Sequence, residues 1–197
     1  LHSNISFAIF WLTPRLHDFL AQHPWVQLDV ATSIWPTEKP RNLAAVEIVL
    51  GLGKWEGRAG QRLTRDTIFP VCTPEVAQRI HDVSDLLKEN LFDLPGTLQT
   101  WDNWLAGHIG SRKYPTPRIH RASTWVLSMN WALQGLGVTL AHDTVANGLI
   151  AEGRLVRLFD YSLPMKEAYY LISPEGSLIN PAAKAFKTWL MQEIKGG

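Results

Sequence analysis

A single cysteine, Cys72, stands in the whole chain, so no internal disulfide can form and no multi-cysteine metal centre can be built. Neither sign of charge is in excess. The 19 Lys and Arg residues face 18 Asp and Glu for a net charge of +1, and no long run of one sign is available to attract phosphates. Long apolar runs are missing too. None approaches the ~20 residues that cross a bilayer, and the start has no basic segment followed by an apolar one. These absences lead to the expectation of a cytoplasmic protein with no membrane partner and no strong nucleic-acid affinity of its own. The chain begins at Leu1 rather than Met and enters a strand-like stretch at once, so it is expected to be a piece of a longer protein.

The motifs of common chemistries are also lacking. Histidines stand at positions 2, 17, 23, 81, 108, 120 and 142, with no i, i+4 pair and no His-x-His, so metal ligands would have to come from distant positions. There is no G-x-S-x-G elbow, and Cys72 lies in an apolar strand where a thiol is usually inert. Gly51-Leu52-Gly53-Lys54 begins like a nucleotide loop, but the next glycine, Gly57, comes one position late, and no Ser or Thr follows Lys54. Asp29, Glu47, Asp102 and Asp143 show no pairing along the sequence that would mark an acid/base couple. The expectation is no catalytic residue, no metal, no cofactor and no enzyme.

What the chain does have is a core. Of its 197 residues 46% are hydrophobic, nine of them tryptophans, whose rings suit interiors, contact surfaces and small-ligand pockets alike. His2 to Ile9 reads as a strand, and Thr13-Pro14 as a cap with proline at the first helical position. Leu16, Phe19 and Leu20 form one helical stripe, which His23-Pro24 ends. Val26 to Val30 alternates with period two, and Ala44 to Leu50 reads as a buried parallel strand after the Pro-rich link Trp35 to Pro40. Thr67 to Cys72 is a further strand, and Thr73-Pro74 opens a helix.

Beyond it, strands are predicted at Leu94–Thr97, Pro117–Arg121, Val138–Ala141 and Ala168–Ser173. Helices are predicted at Trp101–Ile109 and Ser123–Gln134, the latter with Trp125, Met129, Ala132 and Leu133 on one face. A last helix opens at Asn180-Pro181 and carries Phe186, Trp189, Leu190 and Ile194. Alternating β and α predicts parallel sheets flanked by helices, with ligands favoured at the carboxyl ends of the strands.

Hydroxyl and amide side chains gather at those ends. Asn4 and Ser6 lie in the first strand-to-helix passage, Thr32 and Ser33 follow the second strand, Thr100 precedes a helix, and Ser123 and Thr124 open another. N–H groups and the positive dipole end of a helix can hold a carboxylate, which would suit an amino acid or small organic acid. Capping alone accounts for any one of these residues; the set is what points to a ligand.

The run Ser6-Phe7-Ala8-Ile9-Phe10-Trp11-Leu12-Thr13-Pro14-Arg15-Leu16, followed by His23-Pro24, resembles the opening of a LysR-type substrate-binding domain. Phe69-Pro70-Val71-Cys72-Thr73-Pro74, Trp101-Asp102-Asn103-Trp104-Leu105 and Ala132 to Leu140 resemble later motifs of the same family in the same order. Gly153-Arg154-Leu155-Val156 and Tyr169-Tyr170-Leu171 complete the pattern, which is nearest to regulators of glycine cleavage and of β-lactamase.

The resemblance implies an α/β fold of the type 2 periplasmic-binding-protein kind: two Rossmann-like lobes joined by two crossover strands. Lobe I would comprise residues 1–72 and 166–197, lobe II residues 73–165, with crossings near Phe69–Thr73 and Glu167–Ile172. It implies ligand contacts at Ser6, Thr32, Thr100 and the helix start Ser123, Thr124 and Trp125, to which the expected ligand-binding set adds Asn4, Phe7, Ser33, Trp101 and His142, and a winged helix-turn-helix upstream through which the full protein would bind promoter DNA. Homodimers or tetramers would form through the helices Pro14–Gln22 and Ser123–Gln134. Two departures stand out. Arg121-Ala122-Ser123-Thr124-Trp125 places a bulky ring where the family often has an acid followed by serines, so Trp125 is expected to narrow the pocket. Gly51 replaces the usual arginine of D-x-A-I-R. The rival readings are a transport solute-binding protein of the same fold and an enzyme built on it.

Overall fold

The computed structural model describes residues 1–34, 45–55, 58, 60–97, 100–110, 114–172 and 180–196. The chain divides into two compact units: Leu1–Arg65 with Lys166–Gly197, and Asp66–Met165. The first passage falls at Arg65/Asp66 rather than after Cys72, because the strand Thr67–Cys72 pairs only within the second unit.

The first unit holds a five-stranded mixed sheet in the order β2-β1-β3-β11-β4. Its strands are β1 (His2–Asn4), β2 (Ala31–Ser33), β3 (Glu47–Gly51), β4 (Gly60–Arg62) and β11 (Ala168–Ile172). β2 and β3 flank β1 in parallel, with Asn4 opposite Ser33 and His2 opposite Glu47, while β11 runs antiparallel to β3 and β4. The strand expected to reach Ile9 stops at Asn4, and helix begins at Ile5. Asn4 causes the break by taking the N–H groups of Ser6 and Phe7 on its own Oδ1.

Phe7–Leu12 winds as π-helix and passes directly into α1 (Thr13–Gln22). Thr13 therefore lies inside a continuous helix rather than at its start. The wider turn, with the Thr13 N–H on the Ala8 carbonyl, makes room for Pro14, which has no N–H and would crowd an ordinary turn. The strand expected at Val26–Val30 appears instead at 31–33, because three-residue β1 offers a ladder only there. On α1, Phe19 is buried and Leu16 packs beside it, whereas Leu20 is exposed. Phe7, Trp11, Phe19, Tyr169, Phe186 and Trp189 form an aromatic core, the last two from α7 (Pro181–Gly196).

The second unit repeats the plan. Its sheet contains β5 (Thr67–Cys72), β6 (Asn90–Asp93), β7 (Arg118–Arg121), β8 (Val138–His142), β9 (Val156–Arg157) and β10 (Leu163–Pro164), in the order β10-β5-β8-β6-β7 with β9 also on β5. β7 and β8 flank β6 in parallel and β5 runs antiparallel to β8. The helices are α2 (Pro74–Ala77), α3 (Val83–Leu86), α4 (Trp101–Ile109), α5 (Trp125–Leu133) and α6 (Asp143–Ala151). Residues 94–97, expected as strand, form the turn after β6, closed by the Thr97 hydroxyl donating to the Leu94 carbonyl. Both sheets are mixed rather than parallel, because each takes in an antiparallel strand next to a chain passage.

Candidate ligand-binding site

In each unit the first parallel strand has its successor on one side and the third strand on the other, so the connections diverge at its carboxyl end. A crevice opens at such a switch point and is where doubly wound folds bind ligands.

In the first unit that end is Asn4. Its side chain is 7% exposed; Oδ1 accepts from the N–H of Ser6 at 2.9 Å and of Phe7 at 3.3 Å, and Nδ2 donates to the Ile34 carbonyl at 3.1 Å. Asn4 thus starts the helix and ties the exit of β1 to that of β2. Ser6 and Ser33 are buried beside it, and Thr32 is exposed opposite Ser3. Phe7 turns away into the core, stacked on Trp11 at 4.8 Å and tilted against Tyr169 at 4.9 Å. A ring this deep supports the site from behind.

In the second unit β6, β7 and β8 end at Asp93, Arg121 and His142, and the starts of α4, α5 and α6 follow them. Thr100 Oγ1 accepts the Asn103 N–H at 3.4 Å and Thr124 Oγ1 accepts the Leu127 N–H at 3.1 Å, so both hydroxyls act as caps. Trp101 is fully buried, its Nε1 donating to the Phe92 carbonyl at 2.9 Å. Ser123 is exposed. Trp125 meets His142 edge to face with centroids 4.6 Å apart, and both rings are buried. The Trp125 ring is therefore folded onto the β8 end as a wall.

Three carboxylates give this edge its electrostatics. Asp66 is buried; its Oδ1 accepts the Thr144 N–H at 2.8 Å and hydroxyl at 2.6 Å, and lies 3.5 Å from His142 Nδ1. Asp143 reciprocates, accepting the Thr67 N–H and, at 3.0 Å, its hydroxyl. β5 and α6 are thereby clasped where the chain enters the unit. Met165, where it leaves, donates its N–H to the Asp66 carbonyl at 2.9 Å. Asp93 is half-buried, and burial pushes its carboxyl above the usual aspartate range, although the N–H groups of Leu94 and Trp101 bond to it and pull the other way. The start of α4 is thus occupied by the chain's own acid. The Asp93 carbonyl accepts the Ala122 N–H at 2.9 Å, which sets the start of α5 beside it.

Of the expected site residues, Asn4, Ser6 and Ser33 come together in the first unit, and Thr124, Trp125 and His142 in the second. Phe7 and Trp101 face the core. Sequence reasoning missed Asp93 and Asp66 and left Asp143 without a partner. Asp93 was hidden because its strand was placed four residues late, and Asp66 and Asp143 because their partners lie 78 and 76 residues away. Glu47, also unpaired along the sequence, meets Arg58 at 2.7 Å. Cys72 is fully buried, and burial raises its thiol to about 12, which leaves it inert. Among the described residues no three His, Cys, Asp or Glu are grouped so as to hold a metal, and no helix is long and apolar enough to cross a membrane.

The family model described as the LysR substrate binding domain matches residues 2–195. This chain belongs to that family. The LysR-family domain is 30% identical over 191 residues to the HTH-type transcriptional activator AmpR of Citrobacter koseri, covering 95% of this chain and 64% of the relative. It is 29% identical over 193 residues to the glycine cleavage system transcriptional activator of Escherichia coli, covering 94% and 61%. The chain thus spans less than two thirds of the length of these relatives. The effector domain of the transcriptional regulator AmpR of Pseudomonas aeruginosa superposes with a TM-score of 0.81 at 26% identity, over 99% of this chain and 94% of that one. The expected periplasmic-binding-protein-like fold is the one observed, and the domain is the effector-binding regulatory kind. These relatives are named as transcriptional regulators, not as enzymes or transport proteins.

Proposed function

We propose that this domain senses a small amino-acid-like metabolite at the carboxyl ends of its parallel strands, and that binding regulates transcription through a DNA-binding domain elsewhere in the full protein. The carrying observation is the contrast among the helix starts of the second unit. The first turns of α4 and α6 hold Asp102 and Asp143, and Asp93 and Asp66 bond to their N–H groups; α5 has no acid in its first turn. The Thr124 hydroxyl takes the Leu127 N–H, and helix geometry leaves those of Trp125 and Val126 without an intrahelical acceptor. A ligand carboxylate fits there, oriented by the hydroxyls of Thr124 and Ser123, while neighbouring Asp93 suits an ammonium group.

The ligand acts through differential affinity for two arrangements of the domain. The full protein works in the cytoplasm, where its promoter DNA is, as a homodimer or tetramer. Leu20 on α1 and Leu127 on α5, each near two-fifths exposed, support contacts through those helices. Light scattering that finds a monomer at high concentration would refute that assembly. For sensing, the test is thermal unfolding against amino acids, organic acids and aromatic acids, with Ser6→Ala and Thr124→Ala alongside. Ligand at 100 times Kd adds about 2.7 kcal/mol. Stabilisation by an amino acid that is lost in Thr124→Ala supports the reading; no stabilisation across the panel overturns it.

A further inference from the structure

A cavity of about 640 Å³ lies in the second unit between α3, the end of α4 and the turn at Phe159, and none of its described lining residues belongs to those strand ends. That is within the range of small-molecule pockets. Its wall carries the one strained residue of the described backbone: Phe159 stands at φ 63°, a left-handed conformation that a bulky aromatic rarely adopts. Glycine or asparagine would make this turn at little cost, so the ring is held there against the backbone's preference. Arg157 fixes the turn, donating from Nε to the Phe159 carbonyl at 3.3 Å and from Nη2 to that of Asp160 at 3.0 Å. The Phe159 ring is only half-buried, and packs 5.4 Å from His108 and 5.7 Å from Trp104. His108 in turn lies flat on Trp104, at 4.8 Å and 13°. Strain of this kind gathers at functional sites.

We propose that this cavity is a second small-molecule site, which takes a neutral planar aromatic compound bearing a phenolic hydroxyl. Phe159 and Tyr114 supply aromatic surface for the ring, and Leu87 adds apolar area. The imidazoles of His81 and His108 can donate to the hydroxyl oxygen, and the Asp82 carboxylate, whose Oδ1 accepts the Asp85 N–H at the start of α3, can accept a hydrogen bond from the hydroxyl. That carboxylate, the fixed charge among the described lining residues, repels an anion, so a phenol is favoured over the matching benzoate. The site is independent of the amino-acid reading above.

Fluorine NMR titration of the domain with 4-fluorophenol and 4-fluorobenzoate tests the assignment. Saturable binding of the phenol is expected, with the benzoate about tenfold weaker. His108→Ala and Phe159→Gly should each weaken the phenol by about tenfold, and glycine is at ease at φ 63°, so the turn persists in the second variant. Circular dichroism checks folding, and exposed His81→Ala serves if either variant unfolds. No saturable binding, a benzoate bound as tightly as the phenol, unchanged affinity in the folded variants, or loss in Thr124→Ala instead would each overturn the second site.

Discussion

In the first unit the helix that leaves the central strand is held by a neutral amide, Asn4; in the second, the helices that leave β6 and β8 are held by carboxylates, Asp93 and Asp66. The strand order is the same in both, with the first parallel strand between the second and third and an antiparallel strand beyond the third. The same backbone plan therefore accepts two ways of satisfying helix N–H groups. A neutral cap leaves the positive end of the helix dipole uncompensated, whereas an acid neutralises it. The two units should accordingly respond differently to loss of their caps and to pH.

The largest effect is expected in the second unit. Asp66→Ala removes the acceptor for the Thr144 N–H and hydroxyl inside a buried cluster, and should lower stability by about 3 kcal/mol in urea denaturation. Asn4→Ala leaves the N–H groups of Ser6 and Phe7 without their neutral acceptor and should lower stability by about 1–2 kcal/mol in the same assay. If Asn4→Ala proves the costlier of the two, the contrast between charged and neutral caps is broken. Thr124→Ala loses one hydroxyl cap and should lower stability by about 1 kcal/mol.

The smallest effect is the most diagnostic. Burial raises the Asp93 carboxyl above its unfolded value, so its favourable contribution is full below the unfolded pKa and is lost as pH rises through the folded one. Asp93→Asn keeps an acceptor for the Leu94 and Trp101 N–H groups but never ionises. Its stability relative to the native chain should therefore improve from acid pH towards neutrality, measured by denaturation across a pH series. A relative stability that falls over that interval would show that those hydrogen bonds outweigh burial.

Residue patterns over short distances were legible. The helix Trp101–Ile109, the strand Thr67–Cys72 and the Thr73-Pro74 helix start follow from local periodicity and capping chemistry, and the structure has them at those residues. Asn4 was visible as a polar residue near a strand end, but its consequence was not. Ending the strand at residue 4 depends on its side chain outcompeting a ladder that has only three residues of β2 to pair with. The helix α6 was overlooked because its cap acceptor is Asp66, far away in the chain, rather than a residue beside it.

The sequence by itself determined the family, the alternation of strand and helix, and the gathering of hydroxyl and amide side chains where strands end, because these depend on side chains within a few positions of one another. Only the tertiary structure decided which of them are turned to other work. Phe7 and Trp101 are drawn into cores by the apolar area they bury, Thr100 and Thr124 are engaged by their own helices, and Trp125 folds onto His142. It also brought Asp66 to Thr144 and Asp143 to Thr67, since pairing across more than seventy residues requires the sheet that sets β5 beside β8.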